Sequence, residues 1–407
     1  MSTLRRHPLW ILVGVGLAVR LYLAFDFYGT PAIDVLAHSA EQAQSGDIDA
    51  AYGEGGFFNW PYPPLYLAWL VVADGIADVL GLPFHGVVQV LPILADVAIA
   101  LAAYAYLRSR GAGERRPLAA AALVLLGPSF IAVSGYQGQI DSPAILPAVL
   151  AVMAWELRSP AHRAVESGLL VGIGAAIKTV PGLVALPIVT AARSLPEAVR
   201  FAIAAAAVPV LTIAPLALAG VDLHRITDYG GVAGFGGLSL VVDPGLGMDF
   251  LTGTVPTDLG AVSEALSDGS RWITALLLIG LAAFLLRYRP APVDGAVLLW
   301  LAVFAFSPNF FLSYMVWALP FFIMAGYLRE TAILQAAVLP ATVIYYLAIG
   351  ERVHEDALAA IYVASMIALW AFWIVAVFAV GRRIVRARDA HPAGVQPPLA
   401  AAAVEPG

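Results

Sequence analysis

Apolar segments of about 18 residues or more recur along the whole of this 407-residue chain. Each is long enough to cross a bilayer as a helix, because a helix rises about 1.5 Å per residue. Only 12% of the residues are charged, roughly half of the fraction typical of a soluble domain. The sequence therefore predicts an all-α polytopic membrane protein with about twelve transmembrane helices. The candidate spans are residues 8–25, 84–107, 118–134, 142–157, 165–178, 181–192, 198–219, 271–287, 293–307, 311–328, 331–348 and 357–381.

The arginines predict how the chain threads through the membrane, because positively charged loops stay in the cytoplasm. All arginine clusters lie on the same side of the membrane only if a further apolar segment, 63–81, does not cross the bilayer. Asp74 and Asp78 give this segment the polar edge of an interfacial helix. We therefore predict twelve spans in the plasma membrane with both termini inside. The clusters lie at residues 5–6, 108–116, 158–163, 193–200, 287–289, 329 and 382–388.

We expect one transmembrane domain over residues 1–388 and a disordered cytoplasmic tail over 389–407. The first apolar run follows two arginines like a signal peptide, but it lacks a convincing cleavage site and is interpreted as a retained span. Outward loops are predicted at 26–83, with interfacial helices, and at 220–270. The second of these is glycine-rich and is either a mobile flap or a flexible surface connection. The chain has no cysteine, which excludes disulfides and thiolate metal sites.

The first outward loop is strongly acidic. Asp34, His38, Glu41 and Ser45 fall on one helical face at i, i+4, i+7 and i+11. This face is either catalytic, with Asp34 as a carboxylate held at the membrane surface, or merely solvated, with Asp34 as an N-cap after Pro31. A metal site formed by Asp34, His38 and Glu41 is a weaker alternative, because oxygen-rich sites usually need more ligands. We predict no metal and no cofactor.

A second acidic pattern follows in the same loop. Asp47-Ile48-Asp49 matches the DxD pattern that many glycosyltransferases use to hold the metal of a nucleotide sugar. The match is only three residues long and follows Ser45-Gly46, so it also makes an ordinary turn. We favour the turn, and we expect both aspartates to be mobile.

Polar side chains also interrupt the apolar sequence at GYQGQIDSPAIL (135–146). Gln137, Gln139 and Asp141 at a membrane boundary could bind sugar hydroxyls, or they could form a wet loop in which Asp141 caps the next helix. Both interpretations remain open.

Lys178 is the only lysine of the chain and stands where Thr179-Val180-Pro181 breaks an apolar stretch. The halves are short, so we predict a hairpin of two short helices. A cation at membrane depth is a functional candidate by default. We favour phosphate binding over snorkelling, and Arg225 and Arg352 are further outward cations.

These segments, in this order, resemble the GT-C superfamily, membrane glycosyltransferases that use polyprenyl-phosphate sugars. After the first span come PAIDVLAHSAEQAQSG, YPPLYLAWL, GYQGQIDSPAIL, IKTVPGLVALPI and SPNFFLSYMVWALP. The chain is most similar to bacterial mannosyltransferases that use polyprenyl-phosphate mannose, and more distantly to the eukaryotic transferase that adds the first mannose of GPI anchors. The resemblance covers about residues 5–330.

The resemblance implies that a sugar, mannose in particular, passes to a lipid or glycan acceptor at the outer face, with inversion. It implies that Asp34 is the catalytic base that takes the proton of the acceptor hydroxyl. Where several relatives carry a basic or amide side chain, this chain has Asn309, which leaves the partner of Asp34 open. Cations can stabilise the departing polyprenyl phosphate.

We therefore expect three groups of site residues. The expected partners are the sugar donor, the acceptor and membrane lipids, and no nucleic acid. Asp34 is the catalytic group. The donor-phosphate ligands are Lys178, Arg352 and Arg225. The sugar and acceptor ligands are His38, Gln137, Gln139, Asp141, Tyr62 and Asn309.

Two other classes of membrane protein fit the same composition. A polytopic transporter or lipid flippase would also have many spans, a broken helix near Lys178 and polar groups at membrane depth. Transporters commonly contain two related halves, however, and no internal repeat is visible here. A catalytically inactive assembly subunit is the third possibility.

Overall fold

The computed structural model describes residues 7–53, 60–228, 235–252, 261–349 and 355–390, and all regular structure in these ranges is helical. Seven of the described helical segments are long and apolar enough to cross a bilayer. These features confirm the predicted class of all-α membrane protein. The seven segments are Pro8–Asp26, Phe84–Ser109, Arg115–Gln137, Leu195–Leu218, Asp268–Tyr288, Leu328–Ala348 and Asp356–Asp389.

The other predicted spans correspond to shorter or more polar helices. Three apolar segments fall short of the spanning length: Val180–Thr190, Pro292–Phe306 and Leu312–Met324. Residues Asp141–Leu157 and Pro160–Ile177 form two further helices. The apolar segment that was predicted to lie in the interface forms a helix of only 16 residues, Leu65–Leu80.

The chain divides into two compact units. Unit 1 comprises residues 1–185 and 192–229, and unit 2 comprises residues 186–191 and 230–407. The helices described up to residue 228 are α1 His7–Asp26, α2 Ala32–Gln44, α3 Ile48–Tyr52, α4 Leu65–Leu80, α5 Phe84–Val88, α6 Val90–Ser109, α7 Arg115–Leu125, α8 Pro128–Ile131, α9 Asp141–Leu157, α10 Pro160–Ile177, α11 Ala185–Thr190, α12 Leu195–Leu218 and α13 His224–Asp228. A π-helical turn, Ala132–Gln137, follows α8, and a 3₁₀ turn, Val180–Val184, precedes α11.

Small residues let the helices of unit 1 approach closely. Gly168 and Gly172 lie one turn apart on α10 and face α12. A Cβ atom added at these positions would come within 2.5 Å of the Phe201 carbonyl oxygen and 2.6 Å of the Ala205 carbonyl oxygen. Backbone contact of this kind is how helices associate in a membrane, where burial of apolar surface drives no association.

Helices α2, α3 and α4 share an apolar cluster of their own. Ile33 and Leu36 of α2, Tyr52 of α3, and Tyr66 and Leu70 of α4 are all buried in it. The Gln44 amide donates to the Asp74 carboxylate at 2.6 Å and joins the exposed edges of α2 and α4. Helix α4 ends at Gly81, whose left-handed backbone satisfies the last turn. The predicted amphipathic helix at 34–45 is therefore present, the segment predicted at 63–81 is helical, and the two helices pack together.

Arg20 of α1 is fully buried and ties four segments of unit 1 together. Its Nε donates to Asp96 Oδ2 on α6 at 3.1 Å and to the Ser134 hydroxyl in the π-helical turn at 3.0 Å. Its terminal nitrogens donate to the carbonyls of Leu125 and Val124 at 2.5 and 2.9 Å. These carbonyls belong to the last turn of α7, so the guanidinium caps that helix as well as neutralising Asp96.

Unit 2 is built around aromatic side chains. Trp300 and Phe304 of the helix Pro292–Phe306 pack with Phe310 and Trp373, and the Trp370 indole donates to the Ala305 carbonyl at 2.9 Å. Besides most of α11, the described helices of unit 2 are α14 Leu238–Val242, α15 Pro244–Leu251, α16 Ala261–Tyr288, α17 Pro292–Phe306, α18 Met315–Met324, α19 Leu328–Ile349 and α20 Asp356–Ala390.

Two predicted boundaries shift. Helix α16 begins about ten residues inside the loop predicted at 220–270, and α20 continues to Ala390, past the predicted start of the tail at 389. Both extensions are polar helical turns that continue an apolar span. Hydropathy alone assigns such polar turns to loops. The parts of that loop at 229–234 and 253–260, and the rest of the tail, lie outside the described residues.

Candidate active site

The helix α2 presents one buried and one exposed face. Ile33, Leu36 and Ala40 are buried, whereas Asp34 and His38 are exposed. The amphipathic arrangement predicted from the spacing is therefore present. Asp34 lies in the first turn of α2, and Pro31 takes the N-cap position, so the interpretation of Asp34 as the N-cap is wrong. A carboxylate in the first turn is still favoured by the helix dipole.

Tyr28 positions the carboxylate of Asp34. Its hydroxyl donates to Asp34 Oδ1. Burial, together with the hydrogen bond and the negative charge of Asp34, raises the pKa of Tyr28 to about 12. The Tyr28 ring lies 5.5 Å from the ring of His85, measured between centroids, and His85 Nδ1 donates to the Ala24 carbonyl at 2.8 Å. Tyr28 is therefore a neutral donor that holds one oxygen of the carboxylate while the other remains available.

The start of α2 lies directly against the polar segment at 135–141. Gly29 and Gly138 both have positive φ angles, +88° and +71°. A Cβ atom at Gly29 would clash with the Tyr136 carbonyl, and one at Gly138 would lie 2.6 Å from the Cδ1 atom of Ile33. The positive φ angle favours glycine at both positions, and the Tyr136 carbonyl also leaves no space for a side chain at Gly29. Two segments that sequence reasoning treated as separate candidates thus adjoin in unit 1.

The glutamines of this segment differ in exposure. Gln137 ends the π-helical turn and is buried, whereas Gln139 is half-buried. Single π-helical turns occur often at functional sites, because the wide turn re-aims side chains. The position of Gln139 beside the start of α2 is compatible with the predicted contact to a sugar.

Lys178 and Asp141 form a buried ion pair. Lys178 follows the last residue of α10, Asp141 is the first residue of α9, and Lys178 Nζ donates to Asp141 Oδ1 at 2.7 Å. Their side chains are 6% and 0% exposed. The predicted helix break at Thr179–Pro181 is present, but Lys178 is not the isolated cation that the sequence suggested. Such a pair is retained in a membrane because each charge compensates the other.

Tyrosines from the YPP segment and α4 surround this pair. Lys178 Nζ lies 4.9 Å from the centroid of the half-buried Tyr62 ring, within range of a cation–π contact. Tyr66 is buried, and burial and the nearby charge of Asp141 raise the pKa of its hydroxyl well above the usual range. No hydrogen-bond partner of the Tyr66 hydroxyl occurs within the described residues. The predicted ligands Tyr62, Asp141 and Lys178 are thus brought together.

The DxD motif lies at the start of helix α3, where its first aspartate caps the backbone. Asp47 is the N-cap of α3, and its Oδ1 accepts from the Ala50 amide at 3.0 Å. Asp49 is exposed in the first turn of the same helix. Ala51 and Tyr52 are fully buried and anchor α3 in unit 1, while the mobility expected of the two aspartates stays a prediction. The turn interpretation accounts for Asp47 by helix capping.

Three predicted site residues remain: Arg225, Arg352 and Asn309. Arg225 is half-buried on α13 in unit 1, and Arg352 lies outside the described residues. Asn309 belongs to unit 2, where its Oδ1 accepts from the Ser239 hydroxyl at 3.2 Å and its carbonyl accepts from Ser307 at 2.9 Å. These bonds give Asn309 a role in holding the loop before α18.

Within the described ranges, no three His, Asp or Glu side chains are grouped as metal ligands. The weaker alternative of a metal held by Asp34, His38 and Glu41 is therefore not assembled here.

Sequence reasoning also missed the pair Arg20–Asp96. The available signal was an acidic residue in the middle of the apolar run 84–107, since charges at membrane depth are paired. Nothing in the sequence singled out Tyr28.

No protein-family model matches the chain, and no curated protein is similar enough to it to count as a relative.

Proposed function

We propose that this protein is a membrane glycosyltransferase of the GT-C type that moves a sugar, mannose in particular, from a polyprenyl-phosphate donor to a lipid or glycan acceptor. The topology proposed with it is twelve spans in the plasma membrane, both termini inside, and the site on the outer face. The carrying observation is Asp34, an exposed carboxylate on a packed interfacial helix that adjoins the polar segment 135–141.

Each feature of this site has a use in glycosyl transfer. A general base must lie within about 3 Å of the hydroxyl that it deprotonates, so its backbone must be fixed and its carboxylate reachable. Ile33 fixes the backbone of α2 by burial, and Asp34 reaches the surface. Interfacial placement suits a donor whose lipid tail stays in the bilayer while its phosphate lies at the membrane surface.

The proposed ligands of the donor phosphate are three cations, Lys178, Arg225 and Arg352. Lys178 remains a proposed phosphate ligand because its ammonium is a cationic hydrogen-bond donor, and it lies 2.7 Å from Asp141 Oδ1. Asp141 offsets the positive charge, so the pair also suits uncharged sugar hydroxyls. Arg225 and Arg352 remain proposed phosphate ligands, and His38, Gln139 and Tyr62 remain proposed sugar or acceptor ligands.

The test is single-turnover sugar transfer from labelled polyprenyl-phosphate mannose, with donor affinity measured separately. Asp34→Asn should lower the rate by about 10²–10⁴-fold and leave donor affinity unchanged, because the amide cannot take up the proton. Glu41→Gln, on the same exposed face of α2, is the matched control and should remain active. The double variant Asp47→Asn/Asp49→Asn should also remain active, because asparagine caps a helix as well as aspartate.

An active Asp34→Asn variant beside an inactive double variant would contradict the assignment and would favour a metal-binding DxD. A transporter or flippase is the second candidate. It is favoured by the buried ion pairs Lys178–Asp141 and Arg20–Asp96, because charges inside a membrane protein often mark a transport pathway. It predicts no sugar transfer by the purified protein, but movement of labelled lipid or solute across vesicles that contain it.

A further inference from the structure

Unit 2 contains an open apolar crevice of about 780 Å³ between α16, α17 and α20. This volume falls in the range of small-molecule sites, roughly 300–1,000 Å³. Its walls are formed mainly by Leu276 and Phe284 of α16, Phe306 of α17 and Phe378 of α20. Leu276 is 69% exposed and Phe378 is 61% exposed, so the crevice opens onto the surface. In a bilayer, such a surface faces lipid chains.

Two glycines help to form the crevice. Gly280 on α16 and Gly381 on α20 both line it, and a Cβ atom at either position would meet no atom within 4 Å. Glycine within a helix lowers its stability by about 0.5–1 kcal/mol relative to alanine. Neither glycine is required by a positive φ angle or by close backbone contact. Their effect here is to leave space along the walls.

The crevice ends on α20 at two arginines. Arg382 and Arg386 are one turn apart, both line the crevice and both are exposed. Neither forms an ion pair with any described residue. Arg383, the neighbour between them, instead stacks on Tyr327, with 5.7 Å between its guanidinium carbon and the ring centroid. Two positive charges are therefore left to face the end of an apolar groove.

The dimensions match one leaflet of a bilayer. The lining of α20 runs from Val377 to Arg386, which is roughly 14 Å at 1.5 Å per residue. Half of the hydrocarbon core is about 15 Å. The arginines follow directly on the long apolar part of α20, so they reach the headgroup level when the apolar walls lie among the chains. The positive-inside rule puts this end of α20 in the cytoplasmic leaflet.

We propose that this crevice is a binding site for an anionic phospholipid of the cytoplasmic leaflet. One acyl chain lies along Leu276, Phe284 and Phe378, and the phosphate accepts hydrogen bonds from the guanidinium groups of Arg382 and Arg386. Arginine suits a phosphate because its fixed fork of N–H donors matches two phosphate oxygens. This site does not depend on the activity proposed for Asp34.

The test is native mass spectrometry of the purified full chain titrated with phosphatidylglycerol, with phosphatidylcholine and with inorganic phosphate. The wild type should bind phosphatidylglycerol more tightly than phosphatidylcholine, and inorganic phosphate should not compete at matched concentration. Arg382→Gln/Arg386→Gln should weaken phosphatidylglycerol binding by roughly 30-fold, at about 5-fold for each arginine near a membrane surface. Binding of phosphatidylcholine should be unaffected.

A second variant tests the apolar part of the site. An added Cβ atom at Gly381 meets no atom within 4 Å, so Gly381→Leu should occupy part of the crevice and weaken the binding of both lipids. Gly14→Leu, at an equally open position of α1, should weaken neither. Arg115→Gln/Arg116→Gln removes the same charge from two exposed arginines elsewhere and should leave lipid binding unchanged.

Three results with the lipids and variants above would overturn the proposal, and a fourth concerns another lipid. The first three are phosphatidylglycerol binding that survives both crevice variants, equal loss of binding in the control variants, and displacement of bound lipid by inorganic phosphate alone. Preferential binding of polyprenyl phosphate at the crevice would also overturn it, because the occupant would then be the donor lipid.

Discussion

Replacing Lys178 by methionine separates its structural role from its proposed role in substrate binding. Methionine keeps most of the length of the side chain but has no charge. Because Asp141 is 1% exposed, its carboxylate would then remain buried without the ammonium that lies 2.7 Å away in the wild type. Removing one member of a buried pair costs about 3–5 kcal/mol, because the remaining charge is not compensated.

This cost predicts a large change in thermal stability. For a domain of about 150–250 residues, 1 kcal/mol shifts Tm by roughly 2–4 °C, so Lys178→Met should lower Tm by about 6–20 °C. The double variant Lys178→Met/Asp141→Leu should recover most of the loss, since replacing a buried pair by apolar residues is often neutral. Tryptophan fluorescence during heating in one detergent measures all three proteins.

Donor binding by the double variant then decides the function of the pair. If Lys178 and Asp141 contact the donor, the double variant should be stable but should bind polyprenyl-phosphate mannose at least 10-fold more weakly, the loss expected for one charged hydrogen bond of about 1.5–3 kcal/mol. Normal donor binding by the stable double variant would make the pair purely structural. A single variant Lys178→Met as stable as the wild type would refute the reasoning on burial.

Two further predictions concern the other buried pair and the tyrosine beside Asp34. Arg20→Met should destabilise the protein by at least 3–5 kcal/mol in thermal denaturation, because it leaves Asp96 uncompensated, whereas Arg108→Gln at the surface should cost less than about 0.5 kcal/mol. Tyr28→Phe should slow sugar transfer without weakening donor binding. Because burial and Asp34 raise the pKa of Tyr28 to about 12, its hydroxyl stays protonated as the pH rises from 8 to 10. If the wild type lost activity between pH 8 and 10 and Tyr28→Phe did not, the Tyr28 hydroxyl would be losing its proton in that range, which would contradict the raised pKa.

Local patterns in the sequence predicted the helices well. Spacing alone indicated α2 and its exposed face, and the arginine clusters led to an interfacial interpretation of the segment that forms α4. Both inferences use information within one segment of the chain, where amphipathic periodicity and charge are directly visible. Helix ends were less accurate, as at α16, because polar turns that continue a helix beyond its apolar part carry no hydropathy signal.

The partners of the buried charges could not be predicted in the same way. Arg20 and Asp96 are 76 positions apart, and Lys178 and Asp141 are 37 apart. The sequence shows that each charge must be compensated inside an apolar protein, but only the packing of the helices decides by which residue. For this reason the sequence alone suggests an isolated cation at Lys178, and only a sugar ligand or a helix cap at Asp141.

Exposure distinguishes Asp34 from Asp141 as the group that takes up a proton. A general base must release the proton that it has accepted before the next turnover, so it needs a route to water. Asp34 is exposed, and its one described bond comes from a neutral tyrosine that keeps its own proton. Asp141 is buried and bound to Lys178, so protonation would weaken an ion pair that has no solvent to replace it. Under the proposed function, proton transfer is therefore assigned to Asp34 on α2, and the ion pair at the end of α10 is suited to holding a substrate or the fold in place.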